Sequence, residues 1–282
     1  MPSSWFSDNI DSKKGVHWGT RKRGDRPPRE AWEIFHGQVT VIGITIKGYR
    51  FQPNNELDIF ISFFYVYDNI MCINEQVSIA TFSICMITCF FLYKRNNTND
   101  RWISILFAYL GGMQFLEYLM WKDQQCKGLN QIATTIGFLH NILQPLISLI
   151  IAYYFTNGKI PKYIYAVFVL YLITSLPKII TQKTDDQCSK PCNGGEIGLS
   201  WKYTNTEQPT YVWAVFCLAL AVPLLAMNKN GDLYAILIIG TYIIAHFISI
   251  SRCPNNKNSP PNGSWWCMLA ALLPLVALKI NQ

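Results

Sequence analysis

Gln114, Glu117, Tyr118 and Trp121 are spaced i, i+3, i+4, i+7 and therefore share one face of a helix. They end an otherwise apolar run, Trp102–Trp121. An ionisable group in such a run is expensive and is normally turned toward a protein interior or a wet cavity. Glu117 is thus the residue best placed to hold a proton, a cation or a polar ligand. Its position near the end of the run reduces the cost.

A second polar stripe lies along Leu129–Phe155. At 100° per residue, Asn130, Thr134, Gly137, Asn141, Gln144 and Ser148 fall within about 80° of one another, with His140 about 80° off their centre line. Tyr242, His246 and Ser249 make a smaller polar face further on. Histidine titrates near neutral pH, so His140 and His246 are candidate partners for Glu117. The ligand- or ion-binding candidates are Gln114, Glu117, Trp121, Asn130, His140, Asn141, Gln144 and His246. The competing reading is hydrogen bonding that fixes helix packing, worth on average about 0.6 kcal/mol per contact in membrane bundles.

There are nine cysteines. Cys85, Cys89 and Cys217 lie within apolar runs and read as packing residues. Cys126, Cys188, Cys192 and Cys253 fall in connectors and are disulfide candidates, with the connectivity open. Cys188-Ser-Lys-Pro-Cys192 has the look of a metal pair, but no second pair or suitably spaced His accompanies it, and no metal is expected.

The elements that must position these residues are long and oily. Half of the 282 residues are hydrophobic and only 15% are charged, against about a quarter in soluble domains. A hydrocarbon core of about 30 Å needs about 20 helical residues. Seven segments approach this: Val77–Tyr93, Trp102–Trp121, Leu129–Phe155, Ile160–Ile180, Tyr211–Met227, Leu233–Ser251 and Trp265–Ile280. They are too long and evenly apolar for barrel strands, and helices alone bond their own backbone in lipid. Tyr and Trp gather at several ends, as an interfacial belt requires. Pro145, Pro223 and Pro274 should kink their helices. The fold class is an all-α integral membrane protein, with residues 75–282 as a seven-helix transmembrane domain.

Residues 1–74 differ. They read as a polar, basic segment in which Lys13, Lys14, Arg21, Lys22, Arg23, Arg26 and Arg29 cluster. Val39, Val41, Ile44 and Ile46, with Leu57–Tyr67, are candidate strands around the turn signal Gln52-Pro53-Asn54-Asn55. Leu57–Ile73 equally suits an interfacial position. Residues 1–50 lack the apolar core of a secretory signal. The basic tail suits a protein partner or anionic lipid; nucleic acid is not an expected partner. With seven spans, the loop cysteines share the tail's side, which suits an outside or lumenal N-terminus. Lysines and arginines near helix ends lean slightly the same way, toward a cytoplasmic C-terminus.

Several signals are missing. The last segment has no central lysine for a retinal Schiff base and no Asn-Pro-x-x-Tyr. The exit of the third segment is Phe155-Thr156-Asn157-Gly158-Lys159, without the acidic-Arg-aromatic triplet of rhodopsin-like receptors. There is no H-E-x-x-H, no G-x-S-x-G and no phosphate-binding loop. No cofactor is expected, and a membrane-embedded enzyme is the weakest of three readings.

One set of residues resembles a known family. Met71-Cys72-Ile73-Asn74, Ser78, Thr81-Phe82, Leu92-Tyr93-Lys94, Met113-Gln114-Phe115-Leu116-Glu117-Tyr118, Trp121, Asn130 and Gln144-Pro145 are similar to an uncharacterised family of multi-spanning membrane proteins from mimivirus-like giant DNA viruses. The resemblance implies a multi-pass protein of a viral or host membrane and carries no activity. Similar proteins begin near the position of Met71, so residues 1–70 stand as an added module. The expected function is a small-ligand or ion binder, receptor-like or transporting; the alternative is a structural component docking partner proteins through the tail and the Thr181–Pro209 loop.

Overall fold

The structure is a computed structural model and describes residues 36–41, 44–49, 74–181, 187–192, 198–201, 210–253 and 262–280. The chain divides into two compact units, Met1–Ser62 and Phe63–Gln282.

In the first unit, β1 (His36–Val41) pairs antiparallel with β2 (Ile44–Tyr49), Val41 opposite Ile44. Only two residues separate the strands in sequence, the length hairpins favour. The pairing is therefore more local than one formed around Gln52–Asn55. Leu57–Tyr67 and the basic cluster Lys13–Arg29 lie outside the described residues.

The second unit is helical: α1 (Glu75–Lys94), α2 (Thr98–Lys122), α3 (Leu129–Phe155), α4 (Lys162–Thr181), α5 (Thr210–Ala221), α6 (Gly231–Arg252) and α7 (Asn262–Ile280). Five of these, α1, α2, α3, α6 and α7, are long and apolar enough to cross a membrane; α4 and α5 contribute shorter apolar stretches, Lys162–Pro177 and Tyr211–Ala226. A two-residue ladder, β3 (Lys190–Pro191) with β4 (Leu199–Ser200), lies between α4 and α5.

Local chemistry explains the boundaries. Asn74 caps α1 by accepting from the Val77 N–H at 3.0 Å. Asn97 caps α2 through the Asn99 N–H, also at 3.0 Å. α2 consequently starts four residues before its apolar run, with Asn99 and Asp100 buried. Proline acts unequally. Pro145 and Pro274 are carried inside α3 and α7, whereas at Pro223 the α-helix gives way to a 3₁₀ turn, Val222–Ala226.

α2 and α7 form the centre. α2 packs against α1, α3 and α7, and α7 also packs against α1 and α6. The sidedness of the helices is inverted relative to a soluble bundle. α1 buries Ser78, Thr81, Cys85, Thr88 and Cys89, while Ile84, Ile87, Phe90 and Phe91 face outward. Every one of the seven helices carries an exposed large hydrophobic residue, Ile173 and Ile236 among them at 65% exposure each. Small and polar groups inside with apolar groups outside is the arrangement that lipid favours.

Candidate functional site

Gln114 and Glu117 both have zero exposure, one turn apart on α2. The Thr81 hydroxyl of α1 donates to Gln114 Oε1 at 2.9 Å, and Gln114 Nε2 donates to Glu117 Oε2 at 2.9 Å. The other carboxylate oxygen, Oε1, accepts from the Trp201 indole N–H at 3.0 Å. The Ser264 hydroxyl in the first turn of α7 is a further partner of the Glu117 side chain. Four segments thus converge on one carboxylate. The Gln114, Trp201 and Ser264 donors are all neutral, and among the described residues no basic side chain pairs with Glu117.

Trp201 directly follows β4. Leu199, fully buried in β4, donates its N–H to Ser264 Oγ at 3.4 Å. The indole lies against Gly263, where any side chain would collide with the ring. The preceding strand is tied down as well. Cys126 and Cys188 stand at disulfide distance with Cα atoms 5.9 Å apart, as do Cys192 and Cys253 at 6.2 Å. These pairs join the α2–α3, α4–α5 and α6–α7 connectors at one end of the helices.

Asn130 reinforces that end. Its Nδ2 donates to the Met120 and Ser189 carbonyls, both at 2.9 Å. Its Oδ1 accepts the Ser189 N–H at 2.8 Å and the Thr134 hydroxyl at 3.1 Å. Every polar atom of the amide is committed to holding the cap. The exposed turn beside it is closed by Asp123, whose carboxylate accepts the Lys127 and Asn130 N–H groups at 2.9 and 3.1 Å. Those backbone donors hold Asp123 below the usual carboxylate range.

The other candidates lie apart from Glu117. Gln144 Nε2 donates to Asn141 Oδ1 at 3.0 Å and faces His140 Nδ1 at 3.4 Å. The buried Gln144 Oε1 has no hydrogen-bond partner. His140 stacks on Tyr109 with ring centroids 4.3 Å apart, over Gly112. His246 pairs with Asn262 Nδ2 at 3.0 Å through Nδ1 and lies beside Tyr242. Neither histidine bonds Glu117. Trp121 is half-buried, its indole N–H without a partner. Among the described residues no group of three or more His, Cys, Asp or Glu is arranged to hold a metal.

Sequence reasoning missed Trp201, Ser264, Thr81 and Ser189. Trp201 and Ser189 sit in a connector with no periodicity to exploit. A tryptophan between Ser200 and Lys202, away from any apolar run, was the one available signal.

Residues 76–197 match the model of a family of unknown function (DUF5765). The matched stretch holds Thr81, Gln114, Glu117, Trp121, Asn130, His140, Asn141 and Gln144, and ends before Trp201, Ser264 and His246. Neither a curated protein nor a solved structure matches the chain. Across that stretch the chain is similar to a family defined without an activity, and the capped Glu117 node draws on residues both inside and beyond it.

Proposed function

We propose that this chain is a seven-span membrane protein that binds a small ligand or ion at Glu117, acting as a receptor or transporter. One observation carries this reading: a fully buried carboxylate is bonded only by neutral donors. Packing alone would be served more cheaply by an amide, because a charge without a counter-charge in low dielectric is costly. A proton, a small cation or a cationic ligand group would neutralise it.

Seven crossings are supported by the cysteine pairs. They draw together the second, fourth and sixth connectors, so the chain must leave and return through α3–α4 and again through α5–α6. At the other end the Asn99 amide of α2 donates to the Lys229 carbonyl of the α5–α6 connector at 3.3 Å. α4, with 20 residues, extends about 30 Å, and α5 with its 3₁₀ turn about 28 Å, enough for a hydrocarbon core. The giant-virus resemblance makes a viral or host membrane the proposed location.

Purified protein in liposomes, assayed for pH-dependent ion flux with and without Glu117→Gln, tests the transport form. Flux that disappears in the variant is the expected result. Absence of flux in both proteins removes transport and leaves receptor-like binding.

A second reading, a structural component that docks partners, draws on the fully committed Asn130 amide and the stapled cap. Deleting residues 1–70 and measuring partner pull-down tests it; unchanged pull-down counts against a docking role for the tail.

A further inference from the structure

We propose that Trp201 is the lid of the Glu117 site, latched by the Cys192–Cys253 and Cys126–Cys188 pairs, and that reducing these pairs opens it. This rests on the reading of Glu117 as a functional group, and it adds the element that controls access.

The lid is built from four observations. Trp201 alone among the Glu117 partners comes from a connector rather than a helix. Its indole both bonds the carboxylate and lies on Gly263, so it covers the carboxylate from the capped end. The strand before it, β4, is held by a ladder of only two residue pairs to β3. β3 in turn runs directly into Cys192, which is tied to Cys253 at the end of α6. The α6–α7 connector then leads to Gly263 and Ser264, which are the lid's seat and the third Glu117 donor. One bridge therefore sets the spacing of both the lid and its seat.

The second pair fixes the other end of the strap. Cys188 is joined to Cys126, and Ser189 beside it is bonded by Asn130 and Thr134. Without the bridges, the strap keeps the Asn130 bonds and the short ladder alone. Segments with few backbone bonds are the ones that open locally without global unfolding.

The chemistry of opening is thiol–disulfide exchange with a dithiol reductant. A dithiol thiolate attacks one sulfur of the bridge and the S–S bond breaks. The second dithiol sulfur then displaces the mixed disulfide. Two cysteine thiols and one oxidised dithiol result, with two electrons and two protons transferred per bridge.

The test is carbodiimide labelling of the full-length protein in liposomes. Dicyclohexylcarbodiimide adds to a reachable protonated carboxyl without a leaving group, and peptide mass spectrometry locates the adduct. Asp100, 1% exposed at the opposite end of α2, serves as the internal reference. Labelling of Glu117 is expected to rise about tenfold on treatment with dithiothreitol, in Cys192→Ser/Cys253→Ser, and in Trp201→Phe, with Asp100 unchanged; the scale is that of one charge-assisted hydrogen bond. Equal Glu117 labelling in oxidised and reduced protein overturns the lid. So does a parallel rise at Asp100, which would mean that the whole bundle loosens. Gated labelling without any ion flux would retain the lid and remove the transport reading, whereas flux with ungated labelling would do the reverse.

Discussion

At Glu117 two oxygens meet three neutral donors, so a glutamine there would have to aim its own NH2 at the Gln114 amide or the Trp201 indole. Glu117→Gln is therefore expected to lower stability by about 1–3 kcal/mol, the cost of one unmet buried donor, read as a shift of the thermal transition in detergent. Asn130→Ala should cost a similar amount or more, about 1–3 kcal/mol for each cap group left unpaired, by the same measurement. Asp123 sets a pH dependence. Its folded value lies below the unfolded one of about 3.9, so its contribution is complete above that pH and fades as pH falls toward the folded value. Acid melts of Asp123→Asn should show a weaker loss below about pH 4 than the parent protein. Gln114, Glu117 and Asn130 were legible because helical spacing puts them on inward faces. Trp201 and Ser264 were not, because a hydrogen bond across 84 residues leaves no periodic trace. The two histidines illustrate the complementary error: chemical type suggested partners for Glu117, but each is engaged with its own neighbours on α2, α3 or α7.

Between elements, the closest crossing is α1 on α2. A side chain at Gly111 would run into Cys85 Sγ, and Ser104 Oγ donates to the Cys89 carbonyl at 2.7 Å across the same seam. Small residues are what let two helices approach this closely. Gly111→Val should overpack the seam at a cost of about 1–3 kcal/mol, and Cys85→Ala in the same chain should recover part of it. Thermal transitions of the single and double variants check this; no recovery would mean that the strain lies elsewhere. Helix existence was legible from hydropathy at all seven places. The ends were not, since Thr98–Arg101 is polar yet helical, extended by the Asn97 cap and buried against the Lys229 connector. Pro223 was legible as a disturbance, while its outcome, a 3₁₀ turn in place of a kinked α-helix, depends on the neighbours that satisfy the backbone.

At the scale of the whole chain, the decisive feature is the inverted distribution of polarity. Hydroxyls, amides, thiols and a carboxylate occupy the interior, and isoleucine, leucine and phenylalanine cover the outside of helices that water could not tolerate in such area. The stapled connectors gather at one end, which makes that end the rigid one and sets the Glu117 node directly beneath it. The most direct measurement is electron paramagnetic resonance on spin labels introduced singly at Ile87, Ile105, Leu143, Ile173, Leu218, Ile243 and Leu275, one outward site on each helix, in protein reconstituted into liposomes. The account expects molecular oxygen to reach all seven labels far better than a water-soluble nickel chelate. Preferential access by nickel at Ile173 or Leu218 would contradict seven crossings, and preferential access at most of the sites would contradict life in the membrane altogether.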